Sequence, residues 1–326
     1  MLQRSEGYLS SGEWLLYWKR VVSARHFDRH KRPLLFVPGF GMNAFIFGFH
    51  VQGPSLLEAA ALAGHEVWTV DMRGQGAARP QLEGAAPPTM AAYAQEDLPA
   101  ILGHILAHSE SERDEVVGVG ASLGGAVLYA YLALHEAGTC PLGAAVTIGA
   151  PLVWQEVHFT LALLAACPTL VGAVALRGWE GWVQALSPVL GRTPLLDHYV
   201  NRRHVDPRLG PLLLQTLTFP DPALNRDLVQ WVRDKRLRVS GVDVAEGLRP
   251  VTLPLLVIMA NRDGVVPASA VRSVERYWGG AAPSFLQVGT AEDWYAHADL
   301  FIAPEAPTRV FAPMLAWVQA VDPVAG

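Results

Sequence analysis

The sequence predicts an α/β fold: a mostly parallel central sheet flanked by helices, with an inserted helical cap. Three observations carry that reading. Between residues 33 and 148, apolar runs that end in turn residues alternate with helix-period segments. Over residues 151–250 the alternation stops, and the chain becomes mostly helix-like, apolar and punctuated by prolines. It then resumes in Leu255-Leu256-Val257-Ile258-Met259 and Ser284-Phe285-Leu286-Gln287-Val288. The core is therefore read as residues 1–150 and 251–326, and residues 151–250 as the cap between them.

Each element has its own signal. Gly7-Tyr8-Leu9-Ser10, a Ser11-Gly12 turn and Glu13-Trp14-Leu15-Leu16-Tyr17-Trp18 form a hairpin pattern. The basic stretch 25–32 is short and has no interleaved aromatic platform, so it reads as a solvated loop. Leu34-Leu35-Phe36-Val37 ends in Pro38-Gly39, as a buried parallel strand does. Ser55-Leu56-Leu57-Glu58 is a capping box, and Gly64 closes the helix that it starts. Glu66-Val67-Trp68-Thr69-Val70-Asp71 is the next strand, followed by a Gly/Pro-rich loop over residues 74–88. Met90, Tyr93, Leu98, Ile101, Leu102 and Ile105 recur near helical spacing. Glu115-Val116-Val117-Gly118-Val119 is a strand, residues 123–135 a helix, and Ala144-Ala145-Val146-Thr147-Ile148 a strand. A last helix occupies about residues 308–321.

Composition narrows the function. Of 326 residues, 51% are apolar and 17% charged, which supports a large core and argues against disorder. With 25 basic and 30 acidic side chains the net charge is −5, so a nucleic-acid partner is not expected. Cys140 and Cys167 make neither a disulfide framework nor a metal-ligand spacing, and whether they pair stays open. The opening Met1-Leu2-Gln3-Arg4-Ser5-Glu6 is polar and lacks an apolar signal region, so a cytoplasmic location is expected. Residues 159–176 carry no charge and approach the length of a membrane span. Pro168 and Gly172 interrupt them, which favours buried or lid helices and leaves membrane contact through the cap as the second reading.

The chemistry lies at strand ends, where parallel sheets place their sites. Gly120-Ala121-Ser122-Leu123-Gly124 is G-x-S-x-G between a strand and a helix. The glycines permit a sharp turn, and Ser122 projects from it at a helix N-terminus that offers N–H groups to a developing oxyanion. Any Gly-rich turn can hold a serine, but few have this context. Gly118-Val119-Gly120 with Gly124 also imitates a dinucleotide fingerprint. Its spacing is G-x-G-x-x-x-G, and no acidic residue ends a strand about 20 residues on.

A serine nucleophile needs a base, and the base an orienting acid. There are 11 histidines, so position must decide. Only His297, in Tyr295-Ala296-His297-Ala298-Asp299-Leu300, lies beyond the last core strand. Asp263, in Asn261-Arg262-Asp263-Gly264-Val265-Val266-Pro267, follows a strand directly and is preferred as acid to Glu292, Asp293 and Asp299. Ser122, Asp263 and His297 stand in the order Ser…Asp…His. The expected oxyanion donors are the N–H groups of Leu123 and of Phe40, in the turn Pro38-Gly39-Phe40-Gly41. Asp71 and Arg73 read as residues that tie down the loop after their strand.

Together these residues resemble the α/β-hydrolase superfamily, its serine esterase/lipase-like branch. The resemblance rests on Pro38-Gly39-Phe40-Gly41, Asp71-Met72-Arg73-Gly74, the Ser122 elbow, Asn261 to Pro267 and His297-Ala298-Asp299-Leu300. It implies an ester hydrolase acting through an acyl-enzyme, with no metal or organic cofactor. In such a fold residues 151–250 would cover Ser122. Trp154, Phe159, Leu163, Trp179 and Trp182 are then the candidate lining of an apolar acyl pocket, although packing within the cap accounts for such residues too. A small apolar ester is the expected substrate. Acyl transfer or thioester cleavage would use the same three residues. Dehalogenases and epoxide hydrolases need a carboxylate where Ser122 stands. A ligand-binding or membrane-associated module that kept the fold is the reading from another class. Acyl chain length, stereopreference and oligomeric state stay open.

Overall fold

A computed structural model of the protein describes residues 1–136, 139–156, 197–204 and 210–322. Of the sequence-derived assignments, Phe159, Leu163, Cys167, Trp179, Trp182 and the uncharged run 159–176 lie outside the described residues.

The strands are β1 (Leu2–Ser11), β2 (Trp14–Ser23), β3 (Leu34–Val37), β4 (Val67–Asp71), β5 (Arg79–Pro80), β6 (Val116–Ala121), β7 (Leu142–Ile148), β8 (Arg238–Val239), β9 (Val242–Asp243), β10 (Leu255–Ala260) and β11 (Ser284–Val288). Among the described residues, nine make one sheet in the order β1-β2-β4-β3-β6-β7-β10-β11, with β5 on β2. From β4 to β11 all pairs are parallel, and the β1–β2 hairpin joins antiparallel to β4. The fold is the α/β architecture that the sequence predicts.

Helices cover both faces, which is why the central strands are apolar throughout. On one side Leu35, Val37, Trp68 and Val70 pack against α2 (Leu98–His108) and α3 (Leu123–Leu134). On the other, Leu34, Phe36, Val67 and Val119 meet α1 (Leu56–Leu62) and α6 (Ala312–Val321). The Ser55–Glu58 capping box forms at the start of α1.

Three details go beyond the sequence reading. The hairpin is longer than its apolar core, because β1 is an edge strand whose Arg4 and Glu6 stay exposed and blunt that edge. The Gly/Pro-rich loop contributes the two-residue strand β5, which adds Pro80 to an edge where its missing N–H costs nothing. Both long helical stretches contain a π-turn, Tyr93–Asp97 and Pro307–Phe311, each directly before a helix whose second residue is proline, Pro99 or Pro313. A proline removes one N–H and crowds the carbonyl four residues back, and a wider turn relieves both.

The described part of residues 151–250 is not helix alone. It includes α4 (Pro222–Asp234), the β8–β9 hairpin and α5 (Val244–Gly247). Val244 and Ala245 are buried in the cluster that holds α3, so the end of this stretch docks on the sheet-flanking layer. Among the described residues, no helix is long and apolar enough to cross a membrane.

Candidate active site

Two parallel strands, β6 and β7, end at one level beside β10, which runs two residues further. Ala121 of β6 pairs with Ile148 of β7, and Ile148 pairs with Ile258 of β10. The residues just past these ends carry the candidate chemistry.

Ser122 follows β6 and precedes α3. Its φ of 51° and ψ of −116° put a residue with a side chain in a region that costs of order 1–3 kcal/mol. The surroundings impose it. The Ser122 N–H donates to the Ile148 carbonyl at 2.7 Å, which holds the turn to β7. A side chain on Gly124 would lie 2.2 Å from the Val37 carbonyl oxygen, and one on Gly120 2.4 Å from Gly125 N. The two glycines thus let α3 start hard against β3 and β6, and Ser122 is left to turn outward.

Asp263 and His297 come from two further loops and meet. Asp263 Oδ2 lies 2.6 Å from His297 Nδ1, and both side chains are almost fully buried. Its other oxygen accepts the N–H groups of Val265 and Val266, each at 2.8 Å. These two hydrogen bonds fix the carboxylate, which favours the tautomer with the His297 proton on Nδ1; in that tautomer Nε2 is able to accept a proton. The pair sits beside β7: a side chain on Gly149 would lie 2.9 Å from His297 Cε1. Since Gly149 follows Ile148, the partner of the Ser122 N–H, the serine elbow and the histidine share one corner.

Asp299 is differently employed. Its Oδ2 accepts the N–H groups of Ala296 at 2.7 Å and Asn201 at 2.9 Å, and it faces His204. Burial pushes its carboxyl up to about 6. It holds the backbone that carries His297.

The loop after β3 closes the other side. A side chain on Gly39 would lie 3.1 Å from Ser122 Cβ. Phe40 is 39% exposed, while Leu123 is buried at the first turn of α3. Among the described residues, the N–H groups of Phe40 and Leu123 have no backbone acceptor. Asp71 binds the Ala44 and Ala77 N–H groups at 2.8 and 3.0 Å, and burial pushes its carboxyl up. Arg73 is buried with Asp97 and Ser11, and its guanidinium also donates to the exposed Glu96. Both residues therefore brace the loops beside the site. Asp97→Ala would leave the Arg73 guanidinium buried without its main partner. It should cost about 3–5 kcal/mol in a denaturant titration, and a loss under about 1 kcal/mol would show that the network holds little.

Sequence reasoning missed three residues here. Asn43 donates to the Gln215 carbonyl at 2.9 Å, and its N–H to Thr216 O, which pins the β3 loop to the insertion. The Tyr199 ring lies 5.9 Å from the His297 ring, and its hydroxyl reaches Met42 Sδ. Gln75 binds the Gly39 carbonyl. None has a local signal, because each acts on a loop distant in sequence. Trp154 packs edge-on to Trp231 with ring centroids 5.9 Å apart and is 5% exposed.

Residues 32–166 match the family described as alpha/beta hydrolase fold. No curated protein sequence matches the chain. Solved structures do resemble it. A thermophilic esterase from Thermogutta terrifontis is 16% identical, with 98% of this chain and 100% of that chain covered and a TM-score of 0.67. An esterase from Exiguobacterium antarcticum is 15% identical, with 96% and 98% covered and a TM-score of 0.66. An esterase from a Rhodococcus species is 19% identical, with 98% and 99% covered and a TM-score of 0.62. At these identities the likeness establishes the fold.

Proposed function

We propose that this chain, which carries the α/β-hydrolase fold, is a serine hydrolase that cleaves carboxylic esters with an apolar acyl group. The observation behind the reading is that the strained Ser122 elbow bonds Ile148 while the 2.6 Å His297–Asp263 pair lies against the next residue, Gly149. Esterases among the structures it resembles support ester cleavage over other uses of the fold.

In this mechanism Ser122 Oγ attacks the acyl carbonyl while His297 Nε2 takes its proton. The N–H groups of Leu123 and Phe40 hold the oxyanion. The alcohol leaves with the proton from His297, and water repeats the sequence on the acyl-enzyme. Residues 151–250 form the cap, and Trp154, Phe159, Leu163, Trp179 and Trp182 are the residues assigned to acyl binding. Each step uses groups of this chain and needs no metal or organic cofactor. Transfer to another acceptor, or cleavage of a thioester, would use the same residues and differs in the product.

A fluorophosphonate probe should label Ser122, as peptide mass analysis reads it, and abolish ester turnover in proportion. Labelling elsewhere, or full turnover in labelled protein, overturns the assignment. Nitrophenyl esters from acetate to octanoate test the acyl pocket. Each added methylene should improve binding by up to ~0.8 kcal/mol until the pocket is full. Leu163→Asp should suppress octanoate turnover more than acetate turnover. A flat chain-length profile would remove the apolar acyl preference from the proposal.

A further inference from the structure

We propose that Gln75 is a positioning residue for the oxyanion hole: its amide holds the peptide between Gly39 and Phe40 so that the Phe40 N–H faces the oxygen of the carbonyl whose carbon Ser122 attacks. The inference rests on the serine-hydrolase reading above.

Gln75 lies in the loop after β4 and is almost fully buried. Its Oε1 accepts the Met72 N–H at 3.2 Å. That bond fixes which end of the amide is oxygen, so Nε2 is the end that donates to the Gly39 carbonyl, at 3.1 Å. The Gly39 carbonyl and the Phe40 N–H are the two ends of one planar trans peptide and point in opposite directions. A bond that pins one therefore aims the other.

Among the described residues, no other hydrogen bond is made to this peptide. Pro38 before it has no N–H to bond, and Gly39 has no side chain to pack. Downstream, the loop is held at Gly41, whose carbonyl accepts the Thr218 N–H at 3.0 Å, and at Asn43. Gln75 supplies the matching tie upstream. The peptide runs against the elbow, since a side chain on Gly39 would lie 3.1 Å from Ser122 Cβ and 3.2 Å from the Ala121 carbonyl oxygen. Donation to its carbonyl also polarises the amide, which makes the Phe40 N–H a stronger donor to a developing negative charge.

Gln75→Glu tests this with minimal change of shape. It keeps an oxygen for the Met72 N–H and, assayed at alkaline pH where the side chain is ionised, puts a carboxylate oxygen, with no hydrogen to donate, against the Gly39 carbonyl. The main-chain bonds of residue 75 to Met72 and Ala78 remain. The expected result is a kcat lower by about 10–10²-fold, somewhat less than losing an oxyanion donor outright, with KM within about twofold. A trifluoromethyl ketone, which forms a tetrahedral oxyanion on the serine, should bind weaker by a similar factor. Should Gln75→Glu not fold, Gln75→Met, uncharged and of similar length, gives the same readout. A folded variant with unchanged kcat and unchanged ketone affinity overturns the proposal, as does a loss confined to KM. Failure of the fluorophosphonate to label Ser122 in the wild type is a different result, because it removes the serine-hydrolase reading before Gln75 is reached.

Discussion

Ser122→Ala should lower ester turnover by roughly 10⁴–10⁶-fold and leave the fold intact. The size follows from what remains. Without Oγ no acyl-enzyme can form, and only the oxyanion donors and substrate binding still act on a water nucleophile. The fold should survive because the substitution removes a single atom that makes no capping bond to α3. The Ser122 N–H bond to Ile148 and the contacts of Gly120 and Gly124 belong to the backbone, so the positive φ is imposed on alanine as it is on serine. Binding of an apolar ester analogue should therefore persist in the variant. Turnover within tenfold of wild type in a folded, purified preparation would mean that another residue is the nucleophile.

Asp263→Asn should cost about 10⁴-fold, mostly in kcat. The hydrogen bonds around Asp263 say how. Two backbone N–H groups, of Val265 and Val266, donate to its Oδ1 and so require an oxygen there. Asparagine must then turn its NH₂ toward His297 Nδ1. The ring responds by placing its proton on Nε2, and the base that should take the Ser122 proton is gone. Asp299→Asn should cost far less activity, because its carboxylate holds the N–H groups of Ala296 and Asn201 rather than the imidazole. Its effect belongs to stability, read as a shift in the thermal midpoint. If the two variants exchanged their kinetic effects, Asp299 would take the role of acid.

Some of this is visible before any folding is considered, and the reason is locality. A parallel strand buried on both faces must be apolar along its whole length, as Val67–Asp71 and Leu255–Ala260 largely are, so it announces itself. A strand-to-helix turn sharp enough to project Ser122 needs small neighbours on both sides, so Gly120 and Gly124 frame it in the sequence. Chain order and strand ends then singled out Asp263 and His297, which the folded chain brings to 2.6 Å of each other. The π-turns before Pro99 and Pro313 and the strand β5 escaped, because a local departure forced by one residue does not disturb the surrounding periodicity.

The sequence by itself thus determined the layers and marked the candidate nucleophile, base and acid, since each leaves a mark within a few residues of itself. Only the tertiary structure decided what holds them. Gln75 on Gly39, Asn43 on Gln215, Tyr199 between His297 and Met42, and Asp299 on Asn201 join loops that are distant along the chain. A buried amide, phenol or carboxylate of this kind must find a partner wherever the sheet brings one. That partner is set by strand order, in which β3 lies between β4 and β6, and not by distance along the sequence.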